Sequence, residues 1–180
     1  IKKYELALKE DPNSALAYYY MGIALQAQKK IKEAIENYQK SLKLDPNNKQ
    51  AIELLKTAED QLSNNLLSSA ISFYNKKEYT LAETYYLKAL DLEPEFINAQ
   101  RGLGLTYIAM GRIDEASEIL ERAVKNYPKA ALLYDDLARV YVLSHEYEKA
   151  LDAYHKVIEL APDTAMAKEA EKAARRIKRY

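Results

Sequence analysis

Five prolines punctuate this 180-residue chain, at Pro12, Pro46, Pro94, Pro128 and Pro162. Their intervals are 34, 48, 34 and 34 residues, and the long one exceeds the others by 14. Proline breaks helices, because its ring clashes with the preceding turn and its nitrogen has no hydrogen to donate. A fixed interval between breakers therefore means that one supersecondary unit recurs. Other residues fall into step with it. Ala34, Ala82, Ala116 and Ala150 stand 12 positions before a proline, and Tyr4, Tyr38, Tyr86, Leu120 and Tyr154 stand 8 before. Ala7, Ser41, Ala89, Ala123 and Val157 stand 5 before; Gly22, Ala70, Gly104 and Ala138 stand 24 before.

Each unit reads as two helices. In residues 15–48, Tyr18, Met21 and Leu25 recur at spacings of three and four, Lys29-Lys30 interrupts, and Ile31, Ala34, Ile35, Tyr38 and Leu42 resume the pattern. Asp45-Pro46-Asn47-Asn48 then ends the second helix, with asparagine to cap the next one. The turns inside the units, such as Gln28-Lys29-Lys30 and Met110-Gly111-Arg112, are so short that the two helices must be antiparallel neighbours. Glycine inside a helix costs roughly 1 kcal/mol, so Gly22 and Gly104 point to a close approach of the helices.

Composition excludes several functions. The chain has no cysteine, and its 27 basic side chains match 27 acidic ones. There is thus no thiolate nucleophile, no cysteine-held zinc and no global pull toward nucleic acid or anionic lipid, while the compartment stays undecided. No run of about 18 apolar residues is present to span a membrane. His145, in a turn, and His155, on a second helix, are isolated, so no metal site or zinc-protease pattern is expected. Gly102 and Gly104 sit within an apolar helix rather than a phosphate-binding turn. Asp135 and Asp136 are adjacent and lie on different helix faces, which makes no acid–base pair. The expectation is a chain with no catalytic role and no cofactor.

The 34-residue spacing, the Gly/Ala, Ala, Tyr, Ala and Pro columns and the Asp-Pro-Asn turn resemble the tetratricopeptide repeat family. The resemblance covers units at 15–48, 63–96, 97–130 and 131–164, a half unit at 1–14 and a C-terminal capping helix over 165–180. It implies an all-α fold, an α-solenoid or right-handed superhelix of antiparallel helix pairs, in a single array. The family's aromatic near the start of the first helix is kept as Tyr18 and Tyr134 and replaced by Leu66 and Gln100.

Residues 49–62 belong to no pair. From Asn47 to Glu93 there is neither glycine nor proline, and Ile52, Leu55, Leu62, Leu66 and Phe73 continue an apolar stripe. Fourteen residues make about 3.9 turns, so the buried face is kept, and the next helix is extended by roughly 21 Å. One helix from about Asn48 to Asn75 is expected; a break at Asn64-Asn65 separating two arrays is the alternative.

In the family the first helices line a concave groove, so by register the resemblance implies a binding face. The first full unit offers Leu16, Tyr19, Ile23 and Gln26, and the next offers Leu67, Ile71 and Tyr74. Asn98, Arg101, Leu105 and Ile108 follow, then Leu132, Asp135, Arg139 and Val142. So many large apolar groups mark an interaction site, and Arg101 and Arg139 can meet a carboxylate. Ten of the sixteen tyrosines, among them Tyr79 and Tyr147, read as scaffold. The chaperone-binding members of the family hold a C-terminal carboxylate with lysines and asparagines. At those positions stand Tyr19 and Ile23, Leu67 and Ile71, and Leu132 and Asp136, so no such clamp is assembled. The expected ligand is a hydrophobic or amphipathic protein segment.

Two other readings stand beside this adaptor. The start in mid-unit leaves one face of Ile1–Glu10 without its partner helix, which suggests self-assembly into a homo-oligomer. It also suggests an array excised from a larger protein, where it would regulate or target a catalytic domain. The terminal residues Lys168, Lys172, Arg175, Arg176, Lys178 and Arg179 face only Glu169 and Glu171. A solvated end cap is the favoured reading of that basic helix over nucleic acid or lipid binding, since no aromatic platform accompanies the charges.

Overall fold

The computed structural model describes residues 1–178, and the described residues form ten helices and no strand. In chain order these are α1 Lys2–Glu10, α2 Ala15–Ala27, α3 Ile31–Leu44, α4 Lys49–Asn75 and α5 Tyr79–Leu92. They continue as α6 Ile97–Ala109, α7 Ile113–Asn126, α8 Ala131–Leu143, α9 Tyr147–Leu160 and α10 Ala165–Ile177. The fold is an all-α helical repeat. Lys178 caps α10, and the last two residues of the expected capping helix, Arg179 and Tyr180, lie outside the described residues. The chain groups into two compact units, Ile1–Asn65 and Leu66 onward, and the division falls inside α4.

Capping and turn chemistry set the helix ends. The Ser14 hydroxyl accepts from the Ala17 amide, the Asn48 side chain from the Ala51 amide at 3.0 Å, and the Thr164 hydroxyl from the Ala167 amide at 3.1 Å. Each satisfies one of the amides left bare at a helix start. Between the helices of a pair the chain reverses through one left-handed residue: Lys29 (φ 62°), Lys77 (φ 63°), Gly111 (φ 75°) and His145 (φ 62°). Within α4, asparagine tolerates the helix, and the Asn64 amide nitrogen donates back to the Asp60 carbonyl at 2.8 Å.

In the first unit, Met21, Leu25, Ile31, Ala34, Ile35, Tyr38 and Ala58 form the core, against which Ile1, Tyr4, Leu8, Leu54, Leu55 and Leu62 pack. The Tyr38 ring is fully buried and lies where a Cβ on Gly22 would stand, 2.5 Å from its Cε1. Glycine is required there so that α2 and α3 can close over the ring. The Tyr38 hydroxyl donates to Gln26 Oε1 at 2.8 Å, and the Ser41 hydroxyl donates to the Ala15 carbonyl at 2.8 Å.

In the unit from Leu66 onward, α6 packs on α7, α8 on α9 and α10 on α9, while α6 also lies beside α5 and α8. The buried columns are those of the sequence: Ala82, Ala116 and Ala150, with Tyr86, Leu120 and Tyr154. Gly104 admits Leu120 as Gly22 admits Tyr38. Arg112, in the α6–α7 turn, ties three elements together. Its Nη1 meets Glu83 of α5 at 2.7 Å, its Nε meets Glu115 of α7 at 2.8 Å, and its guanidinium lies 4.4 Å from the Tyr107 ring centre.

Candidate functional site

Helical periodicity sends one side of each inner helix (the first of a pair) into the core and leaves the other side to face solvent or ligand. In the unit from Leu66 onward these inner helices are the end of α4, α6 and α8. On the uncommitted side, Ile71 and Leu132 are 44% and 40% exposed, while Leu67, Tyr74, Leu105, Ile108 and Val142 are half-buried. Asn98 is exposed as well. Buried leucine and isoleucine side chains stabilise by roughly 1.5–3 kcal/mol each, so a surface holding several of them partly in water is costly to keep.

A charge cluster lies on the same two helices. Arg101 Nε on α6 donates to Asp136 Oδ2 on α8 at 2.5 Å, and Arg139 Nη1 stands 3.8 Å from Asp136 Oδ1. Asp136 is 1% exposed, against 56% for the Arg139 side chain. Burial pushes the Asp136 carboxyl above its ordinary range, against the pull of the Arg101 hydrogen bond and charge. Asp135 is also raised by burial, with Arg139 and Arg101 opposing. Burial raises the Tyr86 phenol, with Tyr74 adding and Arg101 opposing. It raises Tyr154 too, with Asp135 adding and Arg139 opposing. Arg101 is thus engaged by an internal carboxylate, whereas Arg139 has only a long contact and is open to charge-assisted hydrogen bonds from outside.

The residues of the other compact unit are placed differently from one another. Leu16 is 59% exposed. Tyr19 and Ile23 pack against the core. Tyr19 is held in an aromatic cluster, edge-on to Tyr20 at 5.1 Å and 6.5 Å from Tyr38, while Tyr20 stacks on Tyr4 at 5.9 Å. Gln26 is occupied by the Tyr38 hydroxyl.

Several features escaped the reading of the sequence. Gly102 clears the Tyr86 ring, which a Cβ would approach to 2.4 Å. Gln100, at a position where the repeat usually carries an aromatic, is fully buried; its amide nitrogen donates to the Pro94 carbonyl at 2.8 Å and its Oε1 has no partner among the described residues. Asp136 was legible as a neighbour of Asp135 and at a clamp position of other family members, but not as a partner of Arg101; the available signal was its offset of 35 residues from Arg101, one more than the repeat. Tyr147, assigned to the scaffold by register, is instead 42% exposed, with its hydroxyl 2.9 Å from His145 Nδ1, whereas Ile31 at the same register position of α3 is buried. No helix of the described residues is long and apolar enough to cross a membrane.

Family models described as tetratricopeptide repeat match residues 15–48, 66–96 and 95–163. Photosystem I assembly protein Ycf3 of Prochlorococcus marinus (strain MIT 9211) is 30% identical over 142 residues, which cover 71% of this chain and 75% of that protein. Anaphase-promoting complex subunit 3 of Schizosaccharomyces pombe is 24% identical over 89% of this chain, which spans only 22% of its length. Among solved structures, the first tetratricopeptide domain of Spaghetti (RPAP3), bound to the HSP90 peptide SRMEEVD, superposes with a TM-score of 0.62 at 19% identity. That match covers 66% of this chain and 92% of the other. The matches run through the helix pairs whose glycine, alanine, tyrosine and proline columns build the core, and the chain belongs to the tetratricopeptide repeat family.

Proposed function

We propose that the chain is a non-catalytic scaffold for protein–protein interaction, and that α4, α6 and α8 bind a hydrophobic or amphipathic segment of a partner protein. One observation carries the reading: large apolar side chains, Ile71 and Leu132 foremost, stay accessible on the inner helices after the core is filled. Arg139 beside them supplies a cation without a close internal partner. The relatives point the same way, since one is bound to a peptide and another is named for assembling photosystem I. Ile71→Glu and Leu105→Glu should each abolish partner retention from native cells, while Leu87→Glu on α5, a similarly exposed position, should not. Partner retention unchanged by both inner-helix variants would refute the groove.

A second reading, self-association through α1, rests on Leu6, which is 59% exposed on a helix with no buried residue. Sedimentation equilibrium that returns a monomer at high concentration would remove it.

A further inference from the structure

A cleft of about 420 Å3 opens among α8, α9 and α10, lined by Val142, Tyr147, Tyr154, Ala173, Arg176 and Ile177. Five of these side chains are apolar or aromatic, and the sixth is a guanidinium. Arg176 is exposed and has no hydrogen-bond or ion-pair partner among the described residues. Glu169, the carboxylate whose field reaches it, is already held by Lys172 at 2.7 Å. Tyr154 in the cleft wall also feels two charges of α8, the Asp135 carboxylate ahead of the Arg139 guanidinium. Lys168 of α10 and Lys178 at its C-cap are also unpartnered among the described residues, though neither lines the cleft.

The chemistry selects the occupant. A basic segment would bring like charge to Arg176. A purely apolar one would cover the guanidinium without pairing it. We infer that the cleft anchors an acidic, apolar segment of a protein partner, with one leucine- or phenylalanine-sized side chain in the cleft and a neighbouring carboxylate on Arg176. This rests on the reading of the inner helices as a partner-binding face, with which the cleft shares Val142. It names the chemistry of the segment: aliphatic or aromatic anchors interleaved with aspartate or glutamate.

The test is fluorescence anisotropy on the full chain with a terminally blocked peptide alternating Asp/Glu with Leu/Phe, and a twin carrying lysine at every acidic position. The acidic peptide should bind at least about tenfold more tightly than its twin, and raised salt should weaken it. Arg176→Glu, at an exposed position that leaves the fold intact, should weaken it about tenfold, and Ala173→Trp should do so by filling the cleft. Failure of the acidic peptide to bind, equal binding of the twin, or indifference to Arg176→Glu overturns the inference, whatever Ala173→Trp does to the docking of α10. Leu105→Glu separates the two readings. Binding lost there but unmoved by Arg176→Glu and Ala173→Trp removes the cleft and keeps the inner face. Sensitivity to the cleft variants with indifference to Leu105→Glu keeps the cleft and removes the inner face.

Discussion

Arg101 on α6 holds the carboxylate of Asp136 on α8 at 2.5 Å, in a position where the aspartate is 1% exposed and the arginine 32%. The bridge ties consecutive repeats together, and its two ends are unequally solvated. Removing the arginine strands a buried charge, while removing the aspartate frees a cation that water can reach. Arg101→Met should therefore cost about 3 kcal/mol at pH 7, Asp136→Asn less, and Arg101→Met combined with Asp136→Leu should recover most of the loss. Urea midpoints of the three variants check the ordering.

The same aspartate gives a pH dependence with a definite sign. Burial holds the Asp136 carboxyl above 3.8, so the folded state binds the proton more tightly than the unfolded state. Its contribution to stability is fully present below 3.8 and is lost as pH rises through the folded value. The deficit of Arg101→Met relative to the native chain should accordingly shrink between pH 7 and pH 4, measured by denaturant unfolding at each pH.

Gly22 and Gly102 are closed to a methyl group. A Cβ at these positions would stand 2.5 Å from the Tyr38 ring and 2.4 Å from the Tyr86 ring. Helix propensity alone favours alanine by about 1 kcal/mol, but forcing the rings aside costs roughly 1–3 kcal/mol. Gly22→Ala and Gly102→Ala should both destabilise, and Tyr86→Leu should absorb much of the Gly102→Ala cost when the two are combined. Thermal unfolding of the singles and the double decides.

The turns invite the opposite change. Lys29, Lys77 and His145 occupy the left-handed region that Gly111 occupies in the third pair, at a cost no glycine bears. Replacing each with glycine should stabilise by roughly 0.5–1 kcal/mol, after the entropy glycine gains in the unfolded chain, and Gly111→Ala should do the reverse. The melting temperatures of the four variants test this.

Much of the fold was legible because it is periodic. Pro46, Tyr38, Ala34 and Gly22 keep fixed distances along the chain, and those distances are the helix lengths and contacts of the pair. The family, the helix pairing and the buried tyrosine columns follow from them. What stayed hidden depends on geometry between repeats. Arg101 and Asp136 are related by one repeat plus one residue, a shift set by how adjacent inner helices stagger. Tyr19 was assigned to an open face by register, yet neighbouring Tyr20 and Tyr38 hold its ring against the core. Gly102 belongs to no column, and its reason, the ring of Tyr86 from the preceding helix, is a matter of side-chain volume alone. The division of the chain between Asn65 and Leu66 leaves no mark on helical periodicity, since α4 runs through it.

Tyr38 predicts behaviour at alkaline pH. Burial, with the Tyr19 phenol adding, pushes its hydroxyl from 10.0 up to about 12. The unfolded chain releases this proton first, so the stabilisation is complete below pH 10 and drains away as pH rises toward 12. Tyr38→Phe should cost about 1 kcal/mol at pH 7 through the lost bond to Gln26. It should also flatten the fall in stability above pH 10, as denaturant titrations at pH 9 to 11 would show.

The partner-binding face is tested most directly by photo-crosslinking in native cells from two positions of matched exposure, Leu132 on the inner helix α8 at 40% and Leu87 on α5 at 42%. A photoreactive residue at 132 should capture a partner segment, identified by mass spectrometry as apolar with acidic neighbours, while one at 87 should capture none. Equal capture from both positions, or capture from 87 alone, would contradict the assignment of the inner helices as the binding face.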